Sequence, residues 1–196
     1  MSSHTQVGVL DWLGQRLRRE VVMDRRAVSV IGVSATVVCL TLGAYARVPL
    51  PFSPVPITLQ TFFVLVAGAA LGPRLGSLST SLYLLLGTLG LPIFTGAWLG
   101  PTTGYLVGFV AAAWLVAALT ARVPRVSTLR LVGAMLAGNT VLLLCGTAWL
   151  ALTLRLGAGE ALAIGFAPFV VGDLLKLAAA AAFCRGYRDR LRALFP

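Results

Sequence analysis

Charge, histidine and lysine are all scarce in this chain, and each shortage excludes a chemistry. Charged residues make up 11% of the 196, against about 25% in soluble domains. His4 is the only histidine, which removes histidine-based acid–base catalysis, intramembrane Ser/His proteolysis and most zinc sites. Cys39, Cys145 and Cys184 are an odd count without CxxC spacing, and all three read as small buried hydrophobes in apolar runs. Lysine occurs once, as Lys176 followed by Leu177. No phosphate-binding loop ending in Gly-Lys-Ser/Thr exists, so ATP hydrolysis by that route is excluded. No catalytic constellation and no metal site is expected, and the chain does not read as an enzyme.

What the sequence does have is apolar length. Hydrophobic residues make up 58% and mean hydropathy is +0.91. A net charge of +10 on its own would point to nucleic acid, but the arginines are gathered at the ends and in short breaks between apolar runs, which excludes a nucleic-acid stripe. The runs fall at residues 27–46, 57–71, 75–91, 103–121, 129–152 and 168–185, and about 20 residues span a bilayer core. The expected fold is an all-α, multi-pass membrane protein of six transmembrane helices. Residues 1–26 precede the membrane domain 27–185, and a basic tail, 186–196, follows it. Within the first segment Leu10, Leu13, Leu17 and Val21 recur at helical spacing beside Arg16, Arg18 and Arg19, as in an amphipathic helix on anionic lipid or in a disordered tail. Alternate sides of the six spans hold thirteen arginines and two, the two being Arg47 and Arg155. That asymmetry places both termini in the cytoplasm of a cell-membrane protein.

Two charges stand inside the spans, Asp173 and Lys176, each costing about 2.5–3.5 kcal/mol at a helix centre. A spacing of three puts them on one helix face. They either neutralise each other or face a polar pocket in the outer half of the bundle, where intramembrane ionisable groups mark function. Asn139, in the fifth span, adds an amide. Between the first two spans, residues 47–60 carry four prolines in eight positions, giving a stiff outer segment that is a lid, a plug or a tight connector. Thr58 and Gln60 follow it, as ligand partners or as helix caps. The outer loop after the third span carries no charge between Gly90 and Tyr105. Its Trp98 and Tyr105 suit stacking on a flat ligand or anchoring at the membrane interface. Small residues repeat at four-residue spacing in Gly100, Gly104, Gly108 and Ala112 and in Gly68, Gly72 and Gly76, the pattern of close helix contact within a bundle or between subunits. Ala35, Cys39 and Gly43 read as a subunit-facing stripe. A bundle this small, with a pocket but no engine and no evident inverted repeat, requires a partner to drive transport.

The stretches Pro51 to Thr61, Ala67-Gly68 to Leu71-Gly72-Pro73, Gly87 to Phe94, Gly100 to Phe109 and Pro168 to Lys176 together resemble the BioY family, the biotin-specific substrate-binding S components of energy-coupling factor transporters. The resemblance implies six helices with a biotin pocket near the outer face, docked on a transmembrane coupling subunit that two ATPases drive. It places Asp173 and Lys176 in a Pro-Phe-x-x-Gly-Asp-x-x-Lys pocket motif, and Asn139 and Tyr105 at polar positions lining the pocket. Thr103 and Gln60 complete the expected binding set. The ureido ring of biotin offers N–H donors to a carboxylate and a carbonyl to an amide or ammonium, while its thioether ring and acid tail want apolar walls. The loop before Pro101 is uncharged and offers the biotin carboxylate no cation. No cofactor is expected beyond ATP used by the partners. Capture of another heterocyclic vitamin, a channel-like or structural bundle, and self-association stay open on these grounds.

Overall fold

The basic pair Arg25-Arg26 and the prolines after Ala46 bracket the first apolar run, and the chain is helical between them. In the computed structural model, which describes residues 25–96, 99–121 and 126–194, this helix is α1 (Arg25–Tyr45). One of its sides, with Val33, Val37, Leu40 and Ala44, is buried. The other, with Val30, Ile31, Val38 and Leu42, is more than half exposed, as suits a lipid-facing surface. Residues 1–24 of the segment read as an amphipathic helix or a disordered tail, Trp98, and the arginines at 122 and 125 lie outside the described residues.

The proline-rich segment is not a bare connector. Residues Arg47–Leu50 (β1) and Ser53–Thr58 (β2) form an antiparallel hairpin, pairing Arg47 with Thr58, Val48 with Ile57 and Leu50 with Ser53, with an irregularity between Val48 and Leu50. Proline cannot donate to a ladder, so a two-stranded ribbon whose strands are both edges is where four prolines can sit. The expected all-α fold therefore carries one small β-element, and the second helix starts at Gln60 rather than at residue 57.

Helix α2 (Gln60–Thr88) is continuous only in assignment. Gly72 within it has φ 82° and ψ 178°, in the left-handed half of the map that favours glycine, and Pro73 opens the second arm, where its missing N–H costs nothing. A straight helix would hold Gln60 and Tyr83 about 35 Å apart, yet Gln60 Nε2 donates to the Tyr83 hydroxyl at 2.8 Å. The two arms, 60–71 and 73–88, therefore lie side by side as a helical hairpin, matching the second and third expected runs.

Four further helices, three long and one short, complete the bundle. They are α3 (Thr103–Ala121), α4 (Thr128–Leu154), and the short α5 (Ala158–Gly165), which leads at Phe166 into α6 (Ala167–Leu194). The Ser127 side chain caps α4 by accepting from the Arg130 amide. Helix α5 was not expected, being eight residues long and too short to stand out as a run. Among the described residues five helices are long and apolar enough to cross a membrane, with the paired arms of α2 counted as one. Members of both small-residue ladders make internal contacts, while Gly72 forms the turn. A methyl on Gly68 would sit 2.6 Å from the Ala113 carbonyl oxygen, and one on Gly108 would meet the Leu142 backbone at 3.1 Å. Gly43 of the expected subunit-facing stripe is likewise buried, against Gln60 and Phe63. Cys39 is half-buried and Ala35 exposed.

Helix α6 runs nine residues past the expected end at 185, through most of what read as a basic tail. Its inward stripe runs Phe169, Asp173, Leu177, Ala180, Cys184 and Arg188, at the spacing of one helix face. Arg188 is 4% exposed and donates to the carbonyls of Ala69 and Thr120, and Arg192 reaches Ala69, Thr120 and Ala121. These are last-turn carbonyls of the first α2 arm and of α3. Helix C-termini carry orphan acceptors and partial negative charge, so the two arginines close that end of the bundle.

Candidate binding site

The other end is open. Helices α2, α3, α4 and α6 border a partly open cavity under the β-hairpin. Its apolar walls come from Leu106, Phe109, Leu142 and Phe169, and the hairpin supplies Val55, Pro56 and Thr58 as a cover. Pro168 in the first turn of α6 lets the helix begin just outside, which places Asp173 inside the wall.

Asp173 is 1% exposed, and its Oδ1 lies 2.5 Å from Lys176 Nζ. Apart from this ion pair, neither carboxylate oxygen accepts a hydrogen bond from the described residues. Lys176 Nζ also donates to the Thr58 carbonyl at 2.9 Å, tying α6 to the end of the hairpin. The pair does neutralise itself, as one reading of the sequence held. It nevertheless leaves acceptor capacity facing a cavity, and a buried unsatisfied polar group costs about 1–3 kcal/mol, more when charged. A ligand with paired N–H donors would recover that cost.

Gln60 and Tyr105 line the same cavity, but their polar atoms are already engaged. Gln60 accepts from Thr58 Oγ1 at 3.3 Å and donates to Tyr83, whose hydroxyl donates in turn to the Ile93 carbonyl at 3.0 Å. Tyr105 is 7% exposed, with its hydroxyl on the Gly165 carbonyl at 2.5 Å and its ring 5.8 Å from that of Phe169. Such burial is unlike an interfacial anchor, and its ring serves as wall. Asn139 and Thr103 are buried, with Asn139 Oδ1 and Thr103 Oγ1 lacking partners, but neither is among the lining residues. Asn139 lies one turn beyond Leu142 and Leu143 on the same face of α4, and Thr102 lines the cavity in place of its neighbour Thr103.

Tyr83 went unnoticed in the sequence. It is 1% exposed and joins the cavity floor to the loop after α2 through Gln60, Ile93 and an edge-on Phe94 ring at 5.3 Å. The available signal was a tyrosine in mid-run, whose hydroxyl must find a partner when buried. Among the described residues no group of three His, Cys, Asp or Glu is placed to hold a metal ion.

Comparison with known proteins gives concordant matches. A model described as the BioY family matches residues 17–193. A protein of Pyrococcus horikoshii named probable biotin transporter BioY is 38% identical over 141 residues, 69% of this chain and 82% of that protein. Biotin transporter BioY of Thermotoga maritima is 35% identical over 148 residues, 72% of this chain and 85% of its own length. The fold also matches the crystal structure of an S-component for biotin from an ECF-type ABC transporter, with a TM-score of 0.76 at 22% identity, covering 88% of this chain and 95% of that one.

Proposed function

The chain belongs to the BioY family, and from that premise we propose that it works in biotin uptake as the membrane-embedded subunit that captures the vitamin for an ATP-driven module. The observation that carries this reading is the buried Asp173 carboxylate, ion-paired with Lys176 yet without any further hydrogen-bond donor from the described residues, in the wall of an apolar cavity. The two ureido N–H groups of biotin donate to Asp173, and Lys176, with donors beyond those used on Asp173 and Thr58, addresses the ureido carbonyl. Phe169, Leu142 and Val55 enclose the thioether ring and tail. The β-hairpin covers the site, its four prolines lowering the entropy lost on ordering it. Gln60 and Tyr105 act as fixed walls. Asn139 and Thr103 act from just behind the wall, where their free oxygens make a secondary contribution.

The protein is a multi-pass membrane protein. With the arms of α2 counted separately it crosses six times, both termini cytoplasmic and the cavity facing outward. Arg74 follows the Gly72 turn, Arg130 Nε donates to the Leu119 carbonyl, and Arg188 and Arg192 sit on the same helix ends, while Arg47 and Arg155 lie at the opposite ends of their helices. This grouping supports the orientation expected from positive charge inside. The chain carries no cofactor of its own. Energy comes from two ATPases through a transmembrane coupling subunit, which meets the Ala35 side of α1 and the basic end.

Labelled biotin binding to the purified chain, wild type against Asp173→Ala, is the test. Wild type binds and the variant does not; absence of wild-type binding at micromolar biotin would overturn the assignment, and stronger competition by another heterocyclic vitamin would redirect it. Uptake at full rate in cells lacking the coupling module would refute the dependence on partners.

A further inference from the structure

The uncharged loop before Pro101 leaves the acid tail of the ligand without a cation, and the fold supplies one from the other side of the cavity mouth. We propose that Arg47 of β1 grips the ligand carboxylate and so selects the free acid over its esters and amides. This rests on the biotin reading and specifies how the site holds the tail.

Four residues of the main cavity, Pro56, Thr95, Gly96 and Thr102, also border an adjoining cavity, and Arg47 forms part of its wall. A tail leaving the ring site therefore passes between the hairpin and the Thr95-Gly96 loop and arrives at Arg47. Among the described residues, a methyl added at Gly96 would meet nothing nearer than Thr102 Oγ1 at 3.8 Å.

Register fixes how near this is to the ring site. Arg47 pairs across the hairpin with Thr58, whose carbonyl accepts from Lys176. The Arg47 backbone thus stands one strand away from the carbonyl that holds Lys176. Arg47 Nη1 donates to the Thr95 carbonyl at 3.1 Å, which aims the group at the shared wall and leaves further N–H donors for a second acceptor.

Charge leaves no competing candidate among the residues lining the two cavities. Lys176 is turned to Asp173 and Thr58 and its remaining donor serves the ureido carbonyl at the ring site, and Arg155 and Glu160 border neither cavity. A planar guanidinium also suits a carboxylate better than an ammonium does, because it can donate two parallel bonds. Because Arg47 is exposed, solvent weakens the contact and salt screens it, so its share is about a tenfold change in affinity.

The test measures binding of biotin and of biotin methyl ester to the full-length purified chain, as wild type, Arg47→Gln and Arg47→Lys, at low and high salt. Wild type is expected to prefer the acid by about tenfold. In Arg47→Gln biotin affinity falls about tenfold while ester affinity is unchanged, and Arg47→Lys retains part of the preference; high salt narrows the wild-type gap. Equal losses for acid and ester would show that Arg47 only anchors the hairpin on Thr95, and would overturn the proposal. So would an Arg47→Gln chain that keeps its preference, or a wild type that binds both alike. Wild type binding neither compound would overturn the biotin reading and this assignment with it.

Discussion

Two charged residues occupy the same buried stripe of α6, fifteen positions apart, and are treated in opposite ways. Arg188 is surrounded by acceptors, the Ala69 and Thr120 carbonyls at two helix C-termini, and there the bundle is closed. Asp173 has one ammonium at one oxygen, no other donor among the described residues at either, and a cavity in front of it. Both are nearly inaccessible, at 4% and 1% exposure, so burial alone does not distinguish them. Satisfaction does. A buried ion whose partners all come from the fold stabilises it, whereas one left short by the fold is held ready for something else.

The strongest way to break this comparison is to remove both charges at the open end. Asp173→Asn with Lys176→Met is expected to reduce biotin affinity by about a hundredfold or more, since the lost bonds involve a charge and are worth about 1.5–3 kcal/mol each. Thermal unfolding in detergent should occur no earlier than in wild type, because a buried pair replaced together is often neutral or stabilising. A large loss of stability with binding retained would make the pair structural.

The reciprocal change at the closed end is Arg188→Met. It should cost about 2–3 kcal/mol of stability, from carbonyls that lose a charged donor, while the folded fraction binds biotin within a few-fold of wild type. Loss of binding out of proportion to stability would show that the two ends are coupled.

Tyr83→Phe tests the polar chain at the cavity floor. Removing the hydroxyl strands Gln60 Nε2 and the Ile93 carbonyl, for about 1–2 kcal/mol and a several-fold weaker grip on biotin; an unchanged affinity in binding assays would make Tyr83 mere filling. The smallest effect is expected of Asn139→Ala, behind the wall, at two- to threefold or about 0.5 kcal/mol. A loss rivalling that of Asp173 would place Asn139 in direct contact with the ligand.

Much of this was legible in residue patterns. The apolar runs marked the helices because lipid leaves no other way to satisfy a spanning backbone. Asp173 and Lys176 stood out as the charges inside those runs. Less legible were features that depend on partners distant in sequence. Arg188 and Arg192 looked like tail charges because the carbonyls they cap are about 120 and 70 positions away. Thr103 and Asn139 looked equivalent to Tyr105 as polar residues in apolar runs, and helix rotation decided which of them reached the cavity. The prolines signalled stiffness, but the hairpin's pairing depends on register between two strands, which composition does not encode.

The sequence by itself determined that the chain lives in a membrane, that its basic residues gather at the ends of the apolar runs, and which two charges stand inside those runs. Those properties follow from local transfer energies, which add along a chain. Only the tertiary structure decided that the arms of α2 fold back at Gly72, that two arginines lock one end, and that Arg47 meets the Thr95 loop across the mouth of the cavity. Each of these is a contact between segments far apart in sequence, and its energy exists only once packing has brought the partners together.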